Sequence, residues 1–101
     1  MQVSWSTYEV HGTCVLALAG GLCEETVLMV EPELARLLAG DRSVLVIDLA
    51  EVQARDSAGA AMLDATDRAA NAAGVELPLA SPQSPILHAL NTHGLSSRLP
   101  V

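Results

Sequence analysis

The stretch from Val44 to Leu63, VLVIDLAEVQARDSAGAAML, constrains the fold more than any other part of the chain. Its first residues, Val44, Leu45, Val46 and Ile47, form an apolar run rich in β-branched side chains. Such a run predicts a strand buried on both faces, as inside a parallel sheet. A short polar loop follows, and the Asp56-Ser57 pair predicts a helix start, since Asp and Ser are favoured N-caps. A parallel strand needs a crossover connection, most often a helix lying on the sheet. The expected helix carries Ala58, Ala61, Met62, Ala65, Ala69 and Ala72 on one side and Asp64, Asp67, Arg68 and Asn71 on the other. The small side chains predict close approach to the sheet along the first side, and Gly74 predicts the end of the helix.

The flanking segments complete an alternating pattern. VSWSTYEV and TCVLALAG predict two strands joined by a turn at His11-Gly12. CEETVLMVEPELARLLAG predicts a helix, with Val27, Val30, Leu34 and Leu37 on one face. Glu24 and Glu25 lie in its first turn, where negative charge favours the helix dipole, and Gly40 suits its end. Pro32 removes a backbone donor and predicts a kink or a split. VELPLA predicts a short strand, with Pro78 favouring an edge or a bulge. In SPILHALNTHG, Ser84 is an N-cap, Pro85 opens a helix and Gly94 closes it. The tail SSRLPV adds a possible last strand. The order is ββαβαβα(β), an α/β fold with a mixed sheet of four to five strands and helices packed on it.

No linker, repeat or low-complexity tract interrupts residues 1–101, which predicts a single domain. Half of the residues are hydrophobic but the aromatics are only Trp5 and Tyr8, so the core must be built from Leu, Val and Ala. The net charge of −7 argues against nucleic acid as a partner, because phosphate recognition needs a basic face. All five basic residues are Arg, which points to a GC-rich bacterial genome. The first residues show neither a basic region nor an apolar signal core, and no run approaches the roughly 20 apolar residues needed to span a bilayer. The expectation is a cytoplasmic protein without membrane insertion.

Chemistry-bearing patterns are sparse. His11, His88 and His93 have no metal-ligand spacing with either cysteine, and His93 near a helix end suits the dipole. Gly20-Gly21 lacks the Lys-Ser/Thr of a phosphate loop, and no Ser-x-x-Lys or Gly-x-Ser-x-Gly nucleophile is present. Glu24-Glu25 reads as a solvated helix start. No metal, no cofactor and no catalytic residue is expected, so the chain is not read as an enzyme. Cys14 opens a strand and Cys23 lies beyond its end, a separation approaching 30 Å at about 3.3 Å per residue. A disulfide needs Cα atoms within roughly 7 Å, so no Cys14–Cys23 bond is expected. Cys14 is expected in the core and Cys23 nearer the surface. On the residues alone, Ser57 is either a plain helix cap or a group on which a partner acts.

Three motifs in order resemble the STAS domain family, the fold of anti-sigma factor antagonists. LALAGGLCEET matches the strand-Gly-Glu-Leu-Asp segment before the family's first helix. VLVIDLAEVQARDSAGAAML matches its strand ending in Asp-Leu, followed by Asp-Ser-Ser-Gly and an apolar helix. LPLASPQSPILHALNTHGL matches its strand, Ser-Pro-like cap and helix closing in Gly-Leu. Nearly the whole chain is covered. The family's acidic residue before the first helix is Cys23 here, its second motif Ser is Ala58, and Ala60 replaces a larger apolar residue.

The resemblance implies a phosphorylation site at Ser57 and a partner contact formed by Cys23, Glu24, Asp56, Ser57, Ala58, Gly59 and Ala60. The implied partner is an anti-sigma factor with serine-kinase activity, with a phosphatase to reverse the modification. The unphosphorylated form would bind that partner and release a sigma factor. Phosphate at Ser57 would be tolerated by a helix N-terminus and would add about −1.5 to −2 charge at the docked surface. The chain ends at Val101 without the C-terminal helix of many antagonists, and in this it is similar to small STAS subunits that bind the ABC-type ATPase of lipid transporters. That is the alternative reading. A ligand-binding sensor is a third, though no residue pattern marks its pocket.

Overall fold

The computed structural model describes residues 2–81. Six elements follow one another: β1 (Val3–Val10), β2 (Thr13–Leu22), α1 (Glu24–Leu38), β3 (Leu45–Ala54), α2 (Ala58–Ala73) and β4 (Leu79–Ala80). They form a four-stranded sheet in the order β1-β2-β3-β4. β1 and β2 are antiparallel, while β2–β3 and β3–β4 are parallel, so the sheet is mixed as expected. The helix expected after Ser84 and the strand at the tail lie outside the described residues.

The β1–β2 hairpin turns on His11 and Gly12, both with positive φ (51° and 81°). Two such residues make the turn whose twist matches the flanking strands. Next come two crossovers that step in one direction, β2 to β3 through α1 and β3 to β4 through α2. With the usual right-handed sense, both helices fall on the same face of the sheet. One core results. Leu16, Leu18 and Leu22 of β2 meet Leu45, Ile47, Leu49 and Val52 of β3. Val27, Val30, Leu34 and Leu37 close it from α1, and Met62 and Leu63 from α2.

Helix placement corrects the expectation of a β3 buried on both faces. Leu45, Ile47 and Leu49 are fully buried toward the helices, whereas Val44, Val46 and Asp48 on the other side are only half-buried. The expected face of α2 is corrected as well. Its buried side is Gly59, Ala60, Met62, Leu63, Thr66, Asp67 and Ala70, and Ala61, Ala65, Ala69 and Ala72 face outward. Alanine has little preference for either side. The large Leu63, wholly buried, sets the rotation instead, and it brings Asp67 in to 7% exposure.

Three smaller features have local causes. α1 runs through Pro32 without splitting. The carbonyl deprived of its donor belongs to Leu28, and both residues are exposed, so that acceptor lies on the solvent side of the helix. Where α1 ends, Gly40 N–H donates to the Leu37 carbonyl at 3.3 Å and closes the last turn, without the left-handed φ of Gly74. The C-cap of α1 is Ala39, and the Arg42 guanidinium donates to the Leu37 carbonyl at 2.7 Å, covering a terminal acceptor. Cys14 is half-buried and packs against the core rather than within it. Pro78 accepts Ile47 N–H at 3.0 Å with its carbonyl, but the N–H it lacks would face the same way, so the parallel ladder beside β3 skips one bond there.

The β2–β3 ladder contains one irregularity. Ala17 pairs with Asp48, but Ala19 pairs with Glu51, so β3 carries one extra residue there. The Asp48 carboxylate accepts Ala50 N–H at 3.0 Å and covers part of the interrupted ladder. Beyond this bulge the alternation of β3 changes phase, and Val52 points into the core together with Leu49.

Candidate functional site

The residues expected to act together converge where β2 and β3 end and α1 and α2 begin. The loop after β3 is fastened to the end of β2 by Arg55 N–H donating to the Leu22 carbonyl at 2.9 Å. Gly59, in the first turn of α2, lies against Leu22 so closely that a Cβ there would come within 2.9 Å of the Leu22 Cβ. This contact explains why glycine stands in the first turn of a helix, where its backbone entropy is otherwise unfavourable.

Asp56 performs the capping that its sequence position and that of Ser57 both suggested. One carboxylate oxygen accepts Ala58 N–H at 2.8 Å, the local turn by which Asp opens α2. The other accepts Glu24 N–H at 3.2 Å, at the first residue of α1. A single carboxylate thus satisfies unpaired donors of two helix N-termini, both of which favour negative charge.

Ser57 is exposed and its side chain makes no cap hydrogen bond. Its backbone is near-helical, at φ −76° and ψ −5°, and its carbonyl accepts Ala61 N–H at 3.0 Å. A side chain caps best from an extended backbone, which Ser57 does not adopt. Ser57 is therefore not a plain cap. Its hydroxyl stands on the surface at a helix N-terminus. Ala58 beside it is half-buried, and Gly59 and Ala60 are buried.

Cys23 precedes α1 in extended conformation, half-buried. The Thr26 hydroxyl accepts Cys23 N–H at 2.9 Å and lies 3.5 Å from the Cys23 Sγ. It also lies 2.6 Å from the Gly21 carbonyl, to which it donates. The Thr26 hydroxyl, then the Thr26 backbone N–H, hold the Cys23 thiol below its ordinary pKa; burial and the charge of Asp56 oppose them. Thr26 and Leu22 are the parts of this junction that the sequence reading omitted. The Cys-x-x-Thr spacing was the available signal for Thr26, since it is the N-cap-to-N3 interval of a capping box. Leu22 gave no signal, because its role depends on the approach of Gly59.

The structure thus brings Cys23, Glu24, Asp56, Ser57, Ala58, Gly59 and Ala60 to one end of the sheet. Among the described residues no group of three His, Cys, Asp or Glu side chains is placed to hold a metal ion. The STAS domain profile matches residues 4–101. The chain belongs to the STAS domain family. Three solved structures share the fold of this STAS domain at low identity. The anti-sigma factor antagonist SpoIIAA in its unphosphorylated form superposes with a TM-score of 0.80 at 17% identity, covering 96% of this chain and 86% of its own. An anti-sigma factor antagonist from Mycobacterium paratuberculosis gives a TM-score of 0.81 at 20% identity, covering 98% and 84%. The Bacillus cell fate determinant SpoIIAA in its phosphorylated form gives 0.77 at 16% identity, covering 96% and 89%. Comparison with curated proteins gave no significant match.

Proposed function

We propose that this STAS domain is an anti-sigma factor antagonist, switched by phosphorylation of Ser57. The observation that carries the reading is the division of labour between neighbours: Asp56 caps α2, and the Ser57 hydroxyl is left exposed and uncommitted. The structural likeness to SpoIIAA, a protein with an unphosphorylated and a phosphorylated form, supports it.

In this reading the unphosphorylated domain binds an anti-sigma factor that is also a serine kinase, in the cytoplasm, and so frees a sigma factor. The kinase transfers the γ-phosphoryl group of ATP to the Ser57 oxygen; the hydroxyl proton leaves and ADP is released. The domain supplies a positioned acceptor and no catalytic group. Phosphoserine adds about −1.5 to −2 charge beside Asp56 and Glu24. That charge is stabilised within the domain by the α2 N-terminus but repels the nucleotide phosphates that a kinase must hold opposite Ser57. A phosphatase restores the binding form.

The test is incubation with ATP and the anti-sigma kinase of the same organism, followed by tandem mass spectrometry. One phosphate at Ser57, absent from Ser57→Ala, is the expected result. Stoichiometric phosphate elsewhere, or full labelling of Ser57→Ala, removes Ser57 from this role. Association with an ABC-type ATPase instead of a kinase overturns the antagonist reading in favour of a transporter subunit.

A further inference from the structure

The exposed face of α1 carries the two most exposed large apolar side chains among the described residues. Leu28 is 69% exposed and Met29 is 56% exposed, although α1 has a well-formed buried face of its own. Isolated surface apolar residues need no explanation, but these two are adjacent and framed by charge. Glu25, Leu28, Met29 and Pro32 follow the i, i+3, i+4, i+7 spacing of one helix stripe. Glu24, Glu25 and Glu31 are all exposed around the pair.

Charge decides what fits. A second copy of the chain would bring acid against acid, and so would an anionic membrane. Within α1 the single cation, Arg36, is already paired with an acid, Glu33. Arg42 and Arg55 donate to neutral oxygens and keep their charge, but lie outside this helix. Arg68 is paired with Asp64. The complement is a protein surface with an apolar hollow for Leu28 and Met29 and a rim of Arg or Lys.

Position links this face to the junction at Ser57. Glu24 is tied to Asp56, and Leu28 lies one turn further along α1, about 6 Å away at 1.5 Å rise per residue. A single partner surface of about 800 Å² spans both. We propose that Leu28 and Met29, within their acidic rim, are the apolar anchor by which the domain docks on the anti-sigma kinase. The inference rests on the antagonist reading for the partner's identity, and it assigns the binding energy to α1 rather than to the phosphorylated loop.

The test uses the full chain and the anti-sigma kinase that labels Ser57. Binding is measured by titration calorimetry and phosphorylation by initial rates. Leu28→Ala with Met29→Ala changes only exposed helical positions, and circular dichroism verifies the fold. The double variant should bind at least about tenfold more weakly, the loss expected when anchoring side chains at an interface centre are truncated. Its KM for Ser57 phosphorylation should rise with kcat unchanged. Glu25→Gln with Glu31→Gln should flatten the dependence of binding on salt. Wild-type binding with a double variant within about twofold of it, where hot-spot truncation predicts far more, overturns the docking surface alone. A kinase that neither binds nor labels the wild type overturns both the docking surface and the antagonist reading.

Discussion

The carboxylate of Asp56 accepts the backbone N–H of Glu24 at 3.2 Å across 32 residues of sequence, while its second oxygen opens α2. Asp56→Asn separates the two functions. The side-chain carbonyl keeps one acceptor for Ala58, but the amide presents N–H groups toward the Glu24 donor. Loss of that bond should cost about 1 kcal/mol, and Asp56→Ala, losing both, about 1–2 kcal/mol. Hydrogen exchange should show faster exchange at the Glu24 amide in both variants. In Asp56→Asn, the Ala58 amide should remain protected. Equal loss of protection at both amides would contradict the division.

Ser57 should be nearly silent in folding. Its side chain caps nothing, so Ser57→Ala should change stability by less than about 0.5 kcal/mol, as for other surface substitutions. A true cap would cost about 1 kcal/mol. Urea denaturation distinguishes the two values. In the proposed function, Ser57→Ala retains kinase binding and Ser57→Asp binds more weakly, though one carboxylate imitates phosphate incompletely.

Gly59→Ala should destabilise despite the better helix propensity of alanine. Its Cβ would lie 2.9 Å from the Leu22 Cβ, both rigidly placed by backbone. Overpacking of this kind costs typically about 1–3 kcal/mol, against a propensity gain of about 1. Thermal unfolding reads the sign directly. A stabilised variant would mean that the loop after β3 can move away from Leu22.

Thr26 joins stability and thiol chemistry. Thr26→Val keeps the side-chain shape and removes the hydroxyl that serves Cys23 N–H and the buried Gly21 carbonyl. The unsatisfied groups should cost about 1–3 kcal/mol. The same hydroxyl is the largest influence holding the Cys23 thiol below its ordinary pKa. A lowered pKa means more thiolate at a given pH, and only the thiolate alkylates rapidly. In the wild type, alkylation of Cys23 should therefore begin at lower pH than for an ordinary thiol. In Thr26→Val the profile should move to higher pH. Cysteine-resolved mass spectrometry over a pH series measures both.

At Cys23, where the resemblance to the STAS family implies an acidic residue, charge is itself testable. Cys23→Asp places a carboxylate at the N-terminus of α1, where the dipole favours it. If the partner rim is basic, binding should strengthen by a few-fold and the gain should vanish at high salt. Titration at two ionic strengths reads this.

How much of this was legible in the sequence depended on whether a feature was local. The His11-Gly12 turn, Gly74 as the end of α2 and the exposed Ser57 all follow from neighbours within a turn of chain. The buried face of α2 did not, because alanines give a helix no rotational preference and Leu63 alone outweighs them. Nor did the one-sided burial of β3, which follows from both crossovers falling on one face. The Asp56–Glu24 bond escaped for a similar reason: Asp56 reads as a cap for the helix after it, and nothing near it in sequence mentions the helix before β3.

The extra residue in β3 sets the timing of everything downstream. A regular strand is a two-stroke counter, and its last residue faces a direction fixed by its length alone. With Ala17 opposite Asp48 but Ala19 opposite Glu51, β3 skips a beat midway. Keeping every residue but pairing the strand without the skip, Ala19 opposite Ala50, would leave a regular ladder with the same turn sequence after it. Yet Val52 would exchange the core for the opposite face, and Asp56 would be carried one residue past Glu24. A chain repaired in this way would keep every residue of its Asp-Ser motif and still misaddress it.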